Sequence, residues 1–345
     1  MPSTISRITT HLFRSPIALL AAHPLLLKVH QEQLNILVPQ LATAAAQAIN
    51  GTLGHDNLWI TCNSGVEDGV PDFVLSCAED SRGNKLPIFI ATPRPLSLVE
   101  NGDYLMPRLK AIIQVLHDEA NTERIFSIFA QAAISKAFAQ LWTERTGIAC
   151  EPDPYYSATY ARCTRHTFRN RQFTVLGDTT YELRVAVEED LEALTDLCYD
   201  FALTSPPFEM TRDQAFEEAR TLIAQRKVWV HTINRPGAKE EIASLVAVTR
   251  ESANVSAITK VYTNPGWRGK RCAERLVRHV TKTLLSKSNK ESVVLYVSCN
   301  NPARKVYQRV GFTSLGGEAL CDDSSNAGHW LELGFDQKQV KLGLW

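Results

Sequence analysis

The alternation of apolar and polar residues divides the second half of the chain into short strands and amphipathic helices. Residues 181–187 alternate as a strand does, and apolar residues over 188–201 recur at helical spacing. A helix over 211–225 follows, and then a predicted hairpin formed by 228–233 and 242–248. Strands and helices in this order predict a mixed α/β fold.

The first half shows a similar mixture of periods, with turn residues separating its elements. Apolar spacing predicts helices over 25–49, 105–117 and 126–145, and strands over 58–62, 72–77 and 87–91. Residues 329–335 are predicted to form the last strand.

The most informative stretch covers residues 256–312. Residues 256–263 are rich in β-forming side chains, and Pro265-Gly266 ends that strand. A helix is then predicted by the apolar residues Leu276, Val277, Val280 and Leu284. Residues 292–298 form an apolar strand, and a second helix follows it. The predicted order is therefore strand, turn, helix, strand and helix.

The turn before the first of these helices is basic, with Arg268, Lys270 and Arg271 around Gly269. A helix N-terminus offers free N–H groups and the positive end of the helix dipole, and both attract phosphate. The turn lacks the Gly-Lys-Ser/Thr ending of a P-loop and has too few glycines for a dinucleotide fingerprint. Taken alone, such a turn is also typical of an ordinary solvated surface.

The second helix carries one polar residue on its apolar stripe. The stripe consists of Ala303, Val306, Tyr307 and Val310. Asn301 can cap this helix, Pro302 suits its first position, and Gly311 ends it. Tyr307 is therefore either a core tyrosine with a satisfied hydroxyl or a proton donor at the inner end of a site.

Together the two halves resemble the GNAT superfamily of acetyl-CoA-dependent N-acyltransferases, and most closely its glycine N-acyltransferase-like branch. The acyl-CoA motif of that family, Arg/Gln-x-x-Gly-x-Gly/Ala, is matched by Arg268-Gly269-Lys270-Arg271-Cys272-Ala273. Its later motif, Asn-x-x-Ala-x-x-x-Tyr-x-x-x-Gly-Phe, is matched by Asn300, Ala303, Tyr307, Gly311 and Phe312. Arg271 stands where the family usually has glycine. An arginine there can adopt a helical φ, but its Cβ crowds the approach of phosphate.

The resemblance implies a GNAT fold, a twisted mixed sheet that splays between the strand ending at Thr263 and the strand beginning near Ser292. It also implies three parts of the chain. Residues 1–150 would be a degenerate GNAT-like half, 151–180 a connector and 181–345 the catalytic domain.

The resemblance further implies acetyl-CoA as a co-substrate, no metal ion, and direct transfer of the acetyl group to an amine of a small molecule or peptide. The residues implied to bind acetyl-CoA are Val261, Tyr262, Thr263, Arg268, Gly269, Lys270, Arg271, Cys272, Ala273, Asn300, Ala303 and Arg304. Tyr307 would protonate the departing thiolate as the general acid. Cys272 and Cys299 are then not needed as nucleophiles. A non-catalytic acyl-CoA-binding regulatory module is the alternative.

The general base is not identified by any pattern. Glu209, in a loop on the acceptor side, is the first candidate, followed by His231 and Asp200. Each also has a structural interpretation: Glu209 and Asp200 as surface carboxylates, and His231 as a partly exposed strand residue. A chain of water molecules is a further alternative.

The amino-acid composition limits which kinds of partner and compartment are expected for the protein. The 345 residues carry 37 basic and 37 acidic side chains, and this neutral balance gives no sign of a nucleic-acid partner. The basic, aromatic stretch 155–177 could bind single-stranded nucleic acid, but a crossover strand or linker is favoured. Eight cysteines without a CxxC pair indicate a reducing compartment.

Location follows from the same composition. No run of residues is long and apolar enough to span a membrane, so a cytoplasmic protein is expected. The segment before Glu32 contains no acidic residue, which leaves a mitochondrial transit peptide as the alternative. The oligomeric state is not indicated.

Overall fold

The computed structural model describes residues 8–64, 69–80, 82–171, 179–315 and 328–343. These residues form two compact units. The first contains the described residues up to Thr159 together with 328–343, and the second contains those from Tyr160 to 315. Residues 1–7 of the possible transit segment and 172–178 of the predicted connector lie outside the described residues.

The first unit is built on a sheet with strand order β1-β2-β3-β4-β5-β12-β6. Its elements are β1 (Thr9–Phe13), α1 (Pro16–Ala22), α2 (Leu25–Lys28), α3 (Leu37–Ile49), β2 (Leu58–Asn63), β3 (Phe73–Cys77), β4 (Ile88–Ala91), α4 (Leu96–Val99), α5 (Gly102–Glu119), β5 (Ser127–Gln131), α6 (Ala132–Thr146), β6 (Tyr156–Thr164) and β12 (His329–Gly334). The β4–β5 pair is parallel, whereas β5 and β12 run antiparallel.

Two predicted helices of this unit were wrong in extent. The predicted helix over 126–145 begins as strand β5, whose residues Ile128 and Phe129 are fully buried between β4 and β12. A strand buried on both faces is apolar throughout, so its period cannot be told from that of a buried helix. The predicted helix over 25–49 is interrupted between α2 and α3, where the Asn35 amide donates to the Glu32 carbonyl at 2.8 Å. Such local bonds compete with helical ones.

The second unit is built on a sheet with strand order β6-β11-β10-β9-β8-β7. Its further elements are β7 (Thr180–Val185), α7 (Leu191–Ala202), α8 (Arg212–Ala224), β8 (Val228–Asn234), β9 (Glu241–Glu251), β10 (Val255–Thr263), α9 (Cys272–Ser286), β11 (Ser292–Ser298) and α10 (Arg304–Val310). The predicted order of strands and helices from 181 to 312 is therefore present.

The predicted domain boundaries differ from this division into units. The predicted connector, 151–180, contains strand β6, whose residues up to Thr159 belong to the first unit. Strand β12, assigned by the prediction to the catalytic domain, pairs with β5 and with residues 156–159 of β6 within the first unit. The boundaries at 150 and 180 stay a prediction about domains.

Helices cover both faces of the second unit's sheet because side chains alternate along its strands. On β9, Val246 and Val248 pack in the cluster that contains the buried face of α9. Leu245 and Ala247, which alternate with them, pack in the cluster that contains residues of α7 and α8. In the part of the chain that the structure describes, no helix is both long enough and apolar enough to cross a bilayer.

A buried carboxylate connects α9 to α10. Glu274 is fully buried and accepts hydrogen bonds from Arg278 at 2.8 Å and from Arg309 at 2.6 Å. Arg278 also donates to the carbonyls of Arg169 and Arg309. Burial pushes the pKa of Glu274 upward, but these two arginines outweigh it and hold the pKa below its usual value. The two helices of the 256–312 stretch are therefore held together by charge as well as by apolar contact.

We expect Glu274→Gln to destabilise the folded protein by about 3 kcal/mol, because removing one partner of a buried ion pair leaves uncompensated charge. Urea denaturation followed by circular dichroism measures this change. The matched control is Glu291→Gln at an exposed glutamate just before β11, which should change stability by no more than about 0.5 kcal/mol. Equal stability of the two variants would contradict the structural role of Glu274.

Candidate functional site

The sheet of the second unit opens between β10 and β11. The two strands pair in parallel only over Val255–Ile258 and Ser292–Leu295, although both continue beyond those residues. Strand β10 keeps its pairing with β9 as far as Thr263, with a register shift between Ile258 and Lys260. Such an irregularity bends a strand. Within 179–315, described without a gap, the β11-facing edge of β10 is therefore unpaired beyond Ile258, and the predicted splay is present.

The turn that follows β10 is anchored by a buried tryptophan. Pro265–Trp267 forms a 3₁₀ turn, and the indole N–H of Trp267 donates to Glu241 on β9 at 2.9 Å. Lys270 lies over the same indole ring, 4.3 Å from its centroid. The bond from Trp267 and the nearby Arg235 hold the pKa of Glu241 below its usual value. The position of the basic turn is thus set by contacts with the sheet.

The backbone of this turn is left-handed at two residues. Gly269 has φ +77° and open space where a Cβ would lie, so its conformation, not crowding, favours glycine. Arg271, immediately before α9, has φ +61° and ψ +23°. Arg271 therefore does not use the helical φ that is open to an arginine. An arginine in the conformation that glycine adopts freely costs about 1–2 kcal/mol.

The basic side chains of the turn have different environments. Arg268 donates to the Tyr262 hydroxyl at 3.1 Å and to the Thr263 carbonyl at 3.2 Å, which connects the turn to the end of β10. Lys270 and Arg271 are exposed. Helix α9 begins directly after them, and the first N–H groups of a helix have no partner within it. The turn therefore fits a phosphate group in both charge and donors.

The start of α10 differs slightly from the prediction. Asn301 accepts a bond from the Ala303 N–H at 2.9 Å, but the helix itself begins at Arg304 and not at Pro302. Arg304 donates to the Cys299 carbonyl at 2.8 Å, so its guanidinium supports the loop at the end of β11. Asn300, the first residue of the later motif, is exposed.

Tyr307 lies in the same apolar cluster as Val261 of β10 and Leu276 of α9. Its ring meets Phe312 edge to face with centroids 5.9 Å apart. Burial raises the pKa of Tyr307, so the phenol keeps its proton at neutral pH. The structure thus packs the later motif against the helix that follows the acyl-CoA motif.

The end of α10 requires a glycine. Gly311 has φ +112°, and a Cβ there would lie 2.1 Å from the Thr167 carbonyl oxygen. This close approach to the backbone fixes the position of the helix that carries Tyr307.

The candidate bases are spread over different parts of the second unit. Glu209 is exposed in the segment between α7 and α8, and Asp200 is half-buried on α7. The expectation of a partly exposed His231 is wrong, because its side chain is fully buried on β8 beneath the start of α9. Its Nδ1 lies 3.2 Å from the Cys272 carbonyl oxygen. His231 therefore faces the helix.

Two features of the site were missed by sequence reasoning. The Glu274–Arg278 pair has the four-residue spacing of a helical ion pair, which could have indicated it. The Trp267–Glu241 hydrogen bond joins residues that are far apart in sequence, so no local sequence pattern predicts it. In the basic stretch, Arg165 donates to the Leu285 carbonyl at 2.9 Å and so contributes to packing.

Comparison with known proteins agrees with this geometry. The model of the Acetyltransferase (GNAT) family matches residues 180–312. Those residues therefore form a domain of the GNAT acetyltransferase family, which supports acyl transfer from coenzyme A. No curated protein sequence matches the chain significantly.

Solved structures resemble nearly the whole chain. A Drosophila protein aligns with a TM-score of 0.57 at 11% identity, over 94% of this chain and 97% of its own. A tandem GNAT protein from the clavulanic acid biosynthesis pathway aligns with a TM-score of 0.52 at 11% identity, over 95% of this chain and 98% of its own. A GCN5-related N-acetyltransferase from Sphaerobacter thermophilus gives 0.50 at 15% identity, over 94% of each chain. At these identities the likeness concerns the fold alone, and the predicted mixed α/β GNAT fold is confirmed. The glycine N-acyltransferase-like branch stays a prediction.

The burial of His231 should make stability depend on pH. Burial lowers the pKa of His231 from 6.5 to about 4. Above pH 6.5 the imidazole is neutral in both states. Between about pH 6.5 and 4 the unfolded chain binds a proton that the folded protein does not, so stability falls as the pH falls, by about 3 kcal/mol in total.

Denaturation at pH 7 and pH 5 measures this effect. We expect His231→Leu to lose about 2 kcal/mol less stability between these two pH values than the original protein does. His55→Gln, at an exposed histidine, is the control and should keep the original pH dependence. An unchanged dependence in His231→Leu would contradict the neutral, buried state of the imidazole.

Proposed function

We propose that this protein is an acyl-CoA-dependent N-acyltransferase that transfers an acetyl group from acetyl-CoA directly to an amine of a small molecule or peptide. The observation that carries the proposal is the end of β10–β11 pairing at Ile258 and Leu295, directly before a basic, left-handed turn at the start of α9. Together they offer an unpaired strand edge and a set of donors suited to a phosphate group.

This arrangement supports the residues proposed to bind acetyl-CoA. The backbone of Val261, Tyr262 and Thr263 would pair with the pantetheine arm as an added strand does. The N–H groups from Gly269 to Ala273, with the charges of Lys270 and Arg271, would bind the pyrophosphate. Asn300, Ala303 and Arg304 would line the opposite side of the opening, with Arg304 acting through the loop carbonyl that it holds.

Catalysis would depend mainly on positioning. Holding the amine against the thioester in the opening makes their reaction effectively intramolecular. A backbone N–H of β10 beyond Ile258 would stabilise the developing oxyanion. Tyr307 would donate its proton to the departing thiolate, a role supported by a phenol that stays protonated in a buried site. Glu209, exposed in the segment between α7 and α8, is the proposed base.

A non-catalytic acyl-CoA-binding module is the second candidate. The exposure of Glu209 and the burial of His231 beneath α9 favour it, because a general base must lie within hydrogen-bond reach of the amine. Such a module would bind acetyl-CoA but release no thiol with any amine. A mass-spectrometric screen of amines with acetyl-CoA separates the two candidates, because a mass increase of one acetyl group requires an enzyme.

We expect saturating acetyl-CoA to raise the melting temperature by about 5 °C or more, since a ligand that binds only the folded state stabilises it. NAD⁺, a phosphorylated dinucleotide, should give no shift. The variant Gly269→Ala should bind acetyl-CoA about tenfold more weakly, because the turn needs a left-handed residue there.

Gly237→Ala is the matched control for that variant. Gly237 has the same φ of +77° and open space around it, in the exposed β8–β9 hairpin. Both variants should lose about 1 kcal/mol of stability, but only Gly269→Ala should lose affinity. Equal affinity of the two variants for acetyl-CoA would show that the turn is not part of the binding site.

We expect Tyr307→Phe to lower kcat by about 100-fold with little change in the affinity for acetyl-CoA, because general acid catalysis contributes in this range. Thiol release with an amine found in the screen measures kcat, and calorimetry measures affinity. Tyr156→Phe, at a half-buried tyrosine of the first unit, is the control. Unchanged turnover in Tyr307→Phe would exclude Tyr307 as the general acid.

A further inference from the structure

A row of polar side chains crosses three strands beneath the start of α9. His231 on β8 is paired with Ser244 on β9, and Ser244 is paired with Thr263 on β10. Directly opposite residues of neighbouring antiparallel strands point to the same face of the sheet. His231 and Ser244 are fully buried, whereas Thr263 lies at the opening proposed for acyl-CoA. This polar row therefore leads from the interior to the binding edge.

The hydrogen bond of His231 fixes its tautomer. Its Nδ1 lies 3.2 Å from the Cys272 carbonyl oxygen, and a carbonyl can only accept. Nδ1 therefore carries the proton, and Nε2 is left with a lone pair. Among the described residues, Nε2 and the Ser244 hydroxyl are both buried without a hydrogen-bond partner. A core built for packing alone would place apolar side chains here, because unpartnered buried polar atoms cost free energy.

The carbonyl that His231 holds belongs to a peptide group of the proposed phosphate-binding turn. The Cys272 carbonyl and the Ala273 N–H are the two ends of one planar unit, and they point in opposite directions. Fixing the oxygen therefore fixes the direction of the N–H. Donation to the oxygen also polarises the unit and strengthens the N–H as a donor.

The surroundings of His231 support a donor that carries no charge. Burial holds its pKa low, and the positive charge of Arg275 on α9 lowers it further. The Tyr181 ring on β7 meets the imidazole edge to face at 5.2 Å. The imidazole thus stays neutral at physiological pH and keeps its Nδ1 proton on the Cys272 carbonyl.

We propose that His231 is a positioning residue for acyl-CoA: by holding the Cys272 carbonyl, it directs the Ala273 N–H at the pyrophosphate. This inference rests on the proposed function. It predicts that His231 affects the binding of ligands that carry the pyrophosphate and leaves the thioester chemistry unchanged. His231 does not contact the reacting atoms and is not a catalytic residue.

The test compares three substitutions on the full-length protein. His231→Leu removes the donor. His231→Asn places an amide N–H where Nδ1 stands, and His231→Gln places it where Nε2 stands. We expect the dissociation constant of acetyl-CoA, measured by calorimetry, to rise about tenfold in the Leu and Gln variants. The Asn variant should stay within about threefold of the original protein. Ser244→Ala, in the same buried row but without contact to the Cys272 carbonyl, should bind as the original protein does.

A second substrate separates positioning from general damage. S-acetyl-pantetheine carries the thioester without the pyrophosphate, so its kcat/KM should be the same in the His231 variants and the original protein. Equal losses with acetyl-CoA and S-acetyl-pantetheine would overturn the proposal, as would equal affinities of the Asn and Gln variants for acetyl-CoA. If His231→Leu does not fold, the comparison of the Asn and Gln variants still tests whether His231 positions the Cys272 carbonyl.

The same experiment distinguishes failure of this inference from failure of the proposed function. If the original protein does not bind acetyl-CoA, the proposed function fails and the inference fails with it. If the original protein binds acetyl-CoA and the Leu and Gln variants bind it equally well, only the role of His231 is overturned.

Discussion

The site depends first on the early end of the pairing between β10 and β11. Parallel strands normally satisfy each other's backbone groups along their length, and an unpaired inner edge is costly unless water or a ligand covers it. Here the pairing covers four residues of each strand, while β10 continues to Thr263 on the support of β9. The opening can persist because the register shift near Ile258 bends β10 and because α9 and α10 are held together by the buried Glu274.

Glu274 illustrates how charge contributes to this arrangement. A buried carboxylate is unfavourable by itself, and it becomes acceptable only because two guanidinium groups donate to it. One of them, Arg278, comes from the same helix, and the other, Arg309, comes from α10. The interaction therefore stabilises one specific arrangement of the two helices, whereas apolar packing alone would allow several arrangements. That specificity matters because the basic turn and Tyr307 lie on different helices.

The sequence predicted the elements of the second unit well because their signals are local. Helical spacing in α9, the turn at Pro265-Gly266 and the end of α10 at Gly311 each depend on residues close together in the chain. The errors of prediction arise where residues distant in sequence determine the local structure. Strand β5 reads as helix because its neighbours on both sides, β4 and β12, are not visible in its own sequence. His231 reads as partly exposed because the helix that buries it begins 41 residues later. The left-handed conformation of Arg271 has no signal in its own sequence either, because the turn that contains it is placed by Trp267 on the distant strand β9.

The start of α9 combines several locally unfavourable features. Arg271 occupies a left-handed conformation, exposed positive charges stand side by side, and His231 and Ser244 keep buried polar atoms without partners among the described residues. Each of these costs stability, and together they amount to several kcal/mol by the usual magnitudes. The large apolar cluster beneath α9 offsets that cost. Local strain and unpartnered polar groups concentrate where function restrains the sequence. An anionic ligand at this turn would neutralise the charges and accept from the helix N–H groups, so the features that weaken the free protein are those that would strengthen the complex.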